Sequence, residues 1–406
     1  MATLNSNQRS TLESAIIKAR KLAEKGARNA LMTMAVDQSE PFTNLSTAQK
    51  ELRRRLRNRA RLLGDTMEEK IQKIDHLIYE LAYEYWHKML FAKFLASNNL
   101  LIHPVHNIPV SMEECEDMAK GEGHVDKWTA ASFYASRMLP AIFRTEDPLM
   151  QLEFSIEDRI ALENLLSGID EIIFTADDSL GWVYQFWQTE EKARINDLGV
   201  SIDGEKLPAV TQLFTEPYMV HFLIDNTIGA WWVSRNINVE PPVKFEYLRF
   251  TPEGEVAAGK FEGWAPTTAA LTMLDPCMGS GHFVVATFNV LAKLRMHEEN
   301  LLAADAAKKV IAENIFGLEL DPRCTQIAAF NLALAAWKFI SKYEMLPEMN
   351  LACSGIAPRG KKADWIKLAG KDVRMQNGMA SLYDLFQQAP ELGLSLIHIS
   401  EPTRPY

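Results

Sequence analysis

From Leu12 to about Leu100 the apolar residues recur at helical spacing, as in Leu77, Ile78, Leu81, Tyr85, Met89 and Leu90. That pattern predicts long amphipathic helices and an all-helical region. Two prolines in His103-Pro104-Val105-His106-Asn107-Ile108-Pro109 interrupt it, because neither fits inside a helix, and predict a loop. Helical spacing resumes across Glu113 to Met138 and Ile156 to Leu166, ending near Ser167-Gly168, and again in an aromatic-rich stretch from Ser179 to Asn196. After Pro208, the segment AVTQLFTEPYMVHFLIDNTIGAWW is expected to start a helix at Thr215, with Glu216 and Pro217 in the first turn, where a missing N–H is harmless. The first clear strand is Leu271 to Asp275. From there the grammar becomes strand, glycine turn, helix, strand, helix, the alternation of an α/β sheet domain.

With 406 residues, 47% of them apolar, the chain is long enough for two or three domains with buried cores. Its formal charge of -10 excludes a protein whose whole surface grips nucleic acid, so any DNA contact must be local or lie elsewhere. The basic cluster Lys50, Arg53, Arg54, Arg55, Arg57, Arg59 and Arg61 shares a helix with Leu52, Leu56 and Leu63. It reads either as a phosphate-contacting strip or as a solvated face paired with nearby acids, and the second is the expectation. Trp182, Tyr184, Phe186 and Trp187 are likewise expected to pack helices rather than to form a base-stacking platform.

The first thirty residues spread charge among apolar positions, unlike a secretory signal. No uncharged apolar stretch reaches the ~20 residues needed to cross a bilayer, so no membrane span is expected. Cys115, Cys277, Cys324 and Cys353 form no C-x-x-C pair and have no histidine at ligand spacing, the pattern of reduced thiols in a cytoplasmic protein without a zinc site. His103 and His106 lack a third nearby ligand and are expected to be loop residues.

The chemistry concentrates in TMLDPCMGSGHFVVATFNVL. Thr272 to Leu274 supply a buried parallel strand, Asp275 and Pro276 stand at its carboxyl end, and Gly279-Ser280-Gly281 permit a sharp turn into a helix near His282. Exposed N–H groups at such a helix start suit the carboxylate of an amino-acid-like ligand. IFGLELDPRCTQIAAFNLAL repeats the grammar and places Glu319 at a strand end, where a carboxylate can hold both ribose hydroxyls, with Asp321 as helix N-cap and Pro322 first in the helix. The dinucleotide fingerprint wants G-x-G-x-x-G with an acid ~20 residues onward. Here a single Gly-x-Gly and a more distant acid favour a nucleoside without pyrophosphate, such as S-adenosylmethionine, over NAD.

DPCMGSGHF resembles methyltransferase motif I, GLELDP motif II, and the upstream LFTEPYMVHFLIDNTIG motif X of adenine-N6 DNA methyltransferases ordered X, I, II, III, IV. That order is the arrangement of the gamma group, which includes the methyltransferases of BREX phage defence and the fused restriction-methylation enzymes. SLGWVYQFWQTEEK, PAVTQLFTEPYMV, NLACSGIAP and MASLYDLFQQAPELG are similar to blocks of the BREX enzymes, so the resemblance covers most of residues 60 to 393. It implies a helical region at 1–205, then the first half of a Rossmann-like S-adenosylmethionine-dependent sheet at 206–393. By position it puts Asp275, Pro276, Gly279, Ser280 and Gly281 around the methionine part of the cofactor and Glu319 on the ribose, with Phe214, Thr215 and Pro217 closing the pocket. Motif III should follow a strand near Leu351 to Cys353, with its adenine contact unassigned.

The family flips an adenine from double-stranded DNA and holds its amino group with an Asn-Pro-Pro-Tyr or Asn-Pro-Pro-Phe motif. The chain contains no such motif, so no catalytic residue is assigned; Glu240-Pro241-Pro242-Val243 lacks the Asn and the aromatic, precedes motif I and reads as a linker. Leu394 to Arg404, LSLIHISEPTR, resembles a translated sequencing adapter, and residues 394–406 are expected to be a non-native tail. The resemblance implies that the intact parent methylates adenine alongside other BREX components and that this chain transfers no methyl group. A fused type II restriction-methylation enzyme and a non-catalytic adaptor binding cofactor or DNA are the alternatives.

Overall fold

Side-chain caps fix where the N-terminal helices begin. Asn5 and Gln8 exchange side-chain and backbone bonds ahead of α1 (Ser6–Thr33), and Ser46 with Gln49 do the same ahead of α2 (Thr47–Leu62). The computed structural model describes residues 3–144, 146–198, 215–259, 261–355, 357–358 and 361–389. They form two compact units, divided between Trp187 and Gln188. Residues 394–406 and Phe214 lie outside the described residues.

In the first unit α3 (Asp75–Ser97) is the central helix. Leu77, Ile78, Leu81, Tyr83, Trp86, Met89 and Leu90 are all buried, so its apolar surface runs nearly all round rather than along one stripe. α1 packs on it and on the later helix at Ile156–Ser167, and buries Leu12, Ile16, Ala19, Ala23 and Ala27. The all-helical expectation needs one correction: β1 (Met67–Glu68) pairs antiparallel with β2 (Ile71–Gln72) around Glu69 at φ 53°. Two-residue strands are too short to leave a periodic signature. The stretch from Glu113 to Met138 is two helices, α4 (Met112–Ala119) and α5 (Lys127–Met138), with Asp126 capping the second through the Thr129 N–H at 2.7 Å. α6 (Ile156–Ser167) and α7 (Ser179–Leu198) follow.

The basic helix is used internally. Buried Arg53 donates to the carbonyls of Ala35 at 2.8 Å and Gln38 at 2.6 Å, and buried Arg57 to that of Val36 at 2.8 Å. Arg59 pairs with Glu80 and Arg54 with Glu51. Arg54 and Arg59 are thus paired with acids as expected, Arg55 and Arg61 meet amide and carbonyl oxygens, and Arg53 and Arg57 hold a loop. Tyr184 and Trp187 are fully buried and Trp182 stacks on Phe186, so this aromatic surface packs helices. His103 accepts the N–H groups of Val105 and His106 on Nδ1 and lies 2.7 Å from Glu122 through Nε2, which locks the proline loop.

In the second unit α8 (Pro217–Ile224) begins two residues later than expected, because Glu216, at φ -58° and ψ 138°, is its N-cap and Pro217 is first in the helix. A π turn over Asp225–Gly229 leads into α9 (Ala230–Arg235). Asp225 accepts the Tyr247 N–H at 2.9 Å and Asn226 the Arg249 N–H at 3.2 Å, strapping the irregular segment that contains Glu240 to Val243.

The sheet has three parallel strands in the order β3 (Met273–Asp275), β4 (Ile315–Glu319) and β5 (Asn350–Cys353), with Asp275 opposite Gly317 and Glu319 opposite Cys353. α10 (His282–Glu299) and α11 (Ala303–Lys309) connect the first pair, and α12 (Pro322–Ile340) the second. Met273, Ile315 and Leu351 join a core with Trp231, Trp232, Phe288, Leu291 and Leu332. Leu274 is 57% exposed, so β3 buries one face, whereas strands of parallel sheets are usually covered on both. Fully buried Asn314 donates to the carbonyls of Thr268 and Leu271, at 2.9 and 2.6 Å, and so fixes the approach to β3. α13 (Lys362–Leu368) and α14 (Val373–Phe386) pack on each other and bury no residue.

Candidate functional site

β3 delivers Asp275 to the carboxyl edge of the sheet, and the turn after it is held from several sides. Asp275 Oδ1 accepts the Cys277 N–H at 3.1 Å, the Met278 N–H donates to the Leu318 carbonyl at 3.0 Å, and the Gly281 N–H returns to the Met278 carbonyl at 2.8 Å. Gly279 and Gly281 adopt φ values of 54° and 87°, the left-handed region that glycine enters without steric cost. Gly281 also touches the next crossover helix: a Cβ there would lie 3.1 Å from both Cα and Cβ of Ala328. Three residues further along α12, Asn331 donates its amide to the Ser280 carbonyl at 3.2 Å.

Glu319, at the end of the neighbouring strand, faces this turn. Its Oε2 accepts the Gly279 N–H at 2.8 Å, and its Oε1 accepts those of Leu320 at 2.7 Å and Asp321 at 3.0 Å. Three of the roughly four acceptor positions of a carboxylate are thereby taken. Burial pushes the Glu319 carboxyl above its ordinary range despite these bonds, and burial likewise raises Asp275. Asp321 caps α12 through the Arg323 N–H at 2.9 Å with Pro322 first in the helix, as its sequence implies. α10 has no side-chain cap at its start, so its first N–H groups are left to other acceptors. His282, the first residue of that helix, is held neutral, its pKa pulled down to about 4 by burial.

Beside Asp275 and Pro276 lies an open cleft of about 370 Å³. α8 and the π turn supply Leu223, Ile224, Thr227 and Ile228 to it, α10 supplies Phe283 and Thr287, and Trp264 enters from the irregular segment. Thr215 and Pro217 are half-buried and do not line it; α8, which Pro217 opens, does so through Leu223 and Ile224. Sequence reasoning thus brought Asp275, Pro276, the Gly279 to Gly281 turn and Glu319 to one edge, but missed Phe283, Thr287, Trp264 and Asn331. The i, i+4 spacing of Phe283 and Thr287 from the expected helix start could have revealed that pair. β5 ends beside the site, with the Cys353 thiol 3.4 Å from the Leu320 carbonyl. The four cysteines are free, and no helix among the described residues is long and apolar enough to cross a membrane.

Comparison with known proteins places the same segment. A family model described as the MmeI DNA-methyltransferase domain matches residues 259–365, which include β3, the turn, β4, α12 and β5. The chain is 25% identical over 339 residues to the adenine-specific methyltransferase PglX of Lacticaseibacillus casei (strain Zhang), an alignment covering 71% of this chain and 28% of that protein. It is 28% identical over 207 residues to the adenine-specific methyltransferase BrxX of Escherichia coli O9:H4 (strain HS), covering 49% of this chain and 17% of that protein. A putative type II restriction enzyme and methyltransferase from Methanocaldococcus jannaschii is 22% identical over 209 residues, covering 48% and 18% respectively. The chain therefore spans less than a third of the length of each relative. Over the parts that align, the chain is thus similar to proteins named adenine-specific methyltransferases and to a DNA-methyltransferase domain.

Proposed function

We propose that this homologue of PglX and BrxX is the forepart of a cytoplasmic, BREX-type DNA adenine-N6 methyltransferase, and that the described strands are the first half of its Rossmann-like sheet. The observation that carries the reading is the meeting of Asp275, the Gly279 to Gly281 turn and Glu319 at one sheet edge, closed by the 2.8 Å bond from the Gly279 N–H to Glu319. Such a crevice, at the carboxyl ends of parallel strands, is where α/β sheets take nucleoside ligands.

The residues present fit S-adenosylmethionine. A side chain at Gly281 would crowd Ala328 at 3.1 Å, and the uncapped start of α10 offers N–H donors to the carboxylate of the methionine part. Asp275, whose carboxyl burial raises above its ordinary range, is assigned to the ammonium. Glu319 has one acceptor position left for a ribose hydroxyl; holding both hydroxyls requires it to release a backbone N–H. Phe214, Thr215 and Pro217 are proposed to close the pocket from the start of α8. When bound, the cofactor supplies an electrophilic methyl group. This chain's residues bind and orient it, while the acceptors for the adenine amino group belong to an Asn-Pro-Pro-aromatic motif that this sequence does not contain.

The parent protein is accordingly proposed to methylate a flipped adenine in double-stranded DNA with other BREX components as partners, and the 406-residue chain to bind cofactor without transferring methyl. Isothermal titration of the chain with S-adenosylmethionine tests the first half: saturable binding is expected, and none by a folded sample sinks the reading. A radiolabel assay on duplex DNA tests the second; reproducible adenine labelling by this chain would overturn it. The Methanocaldococcus relative keeps a restriction-methylation reading in view, for which DNA cleavage by the intact parent is the deciding result.

A further inference from the structure

We infer that Asn331 is a positioning residue for the cofactor's amino-acid part, an inference that rests on the cofactor reading above. The peptide joining Ser280 to Gly281 is held at both of its polar ends: its N–H donates to the Met278 carbonyl at 2.8 Å, and its carbonyl accepts the Asn331 amide at 3.2 Å. Asn331 and Ser280 are both buried, at 7% and 3% exposure, so water does not replace that bond freely. Two peptides earlier, the Gly279 N–H is fixed by Glu319. The two clamps come from the second βα unit, its strand terminus and the third turn of α12, and they set the two peptides that flank the one between Gly279 and Ser280. Ala328, three residues before Asn331 on the same helix face, leaves space for Gly281.

The consequence is directional. Without the amide donor the Ser280–Gly281 peptide can rotate, which misaims the first N–H groups of α10 at the ligand carboxylate and leaves the nucleoside end, held by Glu319, unchanged. Asn331 is a polar residue in the otherwise apolar run AAFNLAL on a helix that packs into the core, and this carbonyl gives it a reason to be there.

The test compares S-adenosylhomocysteine and 5′-methylthioadenosine, two neutral thioethers that differ only in the amino-acid part, alongside S-adenosylmethionine, on the 406-residue chain. Asn331→Asp keeps the shape and loses the donor; Asn331→Ser keeps a small side chain that can bond within its own helix. Both variants are expected to bind S-adenosylhomocysteine and S-adenosylmethionine about five- to tenfold more weakly, the effect of one buried hydrogen bond, and 5′-methylthioadenosine as the unmodified chain does. Equal loss for both thioethers, or loss for neither, overturns the inference. An unmodified chain that binds none of these nucleosides fails the cofactor reading instead. Independently of ligand, amide exchange at residues 279–283 should quicken in both variants while α12 keeps its protection, and unchanged exchange there overturns the clamp.

Discussion

Glu319 Oε2 accepts the Gly279 N–H at 2.8 Å, tying the end of β4 to the turn that follows β3. The same carboxylate satisfies Leu320 and Asp321, so it closes its own loop as well as its neighbour's. Glu319→Ala should therefore lower stability by about 1–3 kcal/mol, the cost of leaving buried donors unpaired, as read from urea denaturation. Glu319→Gln retains one carbonyl oxygen for Leu320 and Asp321 but turns an amide toward Gly279. It should recover most of the stability and still bind S-adenosylmethionine at least about tenfold more weakly, since an amide is a poorer partner for hydroxyl donors than a carboxylate. Unchanged affinity would remove Glu319 from the ribose.

Gly317, in the middle of β4, lies under Met278 of the turn. A Cβ there would sit 2.8 Å from Leu351 Cδ2 and closer still to the Met278 sulfur. Gly317→Ala should cost about 1–3 kcal/mol by overpacking. Met278→Ala opens the space, and the double variant should be more stable than the sum of the two single losses implies. Additivity within error in a double-mutant cycle would show that the two do not press on each other.

Asp275 and Glu319 were legible because each closes an apolar run, with Pro276 directly after Asp275 and the helix-starting Pro322 three residues after Glu319. The six-residue turn from Pro276 to Gly281 was legible from its glycines. The reason for Gly317 was not, because it depends on Met278, which comes from another strand-helix junction. Asn331 was hidden for the opposite reason: one amide inside AAFNLAL carries no periodic signal, and its partner is a main-chain carbonyl 51 positions away. Arg53 and Arg57 were indistinguishable from their exposed neighbours by charge, and only the loop carbonyls they meet set them apart.

Burial holds His282 at a pKa of about 4, against an ordinary value of 6.5. The unfolded chain then takes up a proton on this ring before the folded one does. Its contribution to stability is complete above pH 6.5 and is lost as pH falls through that value toward 4. His282→Gln should flatten this part of the stability profile in denaturation series at stepped pH. Burial shifts Asp275 and Glu319 upward, so their contribution has the other sign: the unfolded state ionises first and stability falls as pH rises through the carboxylate range. A profile that His282→Gln leaves parallel to the unmodified one would assign the acid loss to other groups.

The basic helix gives the last discriminating experiment, because a structural arginine and a phosphate-binding one respond to different measurements. Arg53 reaches the carbonyls of Ala35 and Gln38, and Arg57 that of Val36, from buried positions. Replacing either by Ala leaves those acceptors without a charged donor and should destabilise the first unit by about 1.5–3 kcal/mol, seen as a lower thermal midpoint. Arg53→Lys should rescue only in part, since one ammonium cannot reproduce the planar fork that spans two carbonyls. If the helix instead read phosphates, the same substitutions would leave the melting curve in place and reduce the salt dependence of duplex binding by about one counterion each in fluorescence anisotropy. A shifted midpoint with an unchanged salt slope is the expected pair of results, and it would leave DNA contact to surfaces beyond this helix.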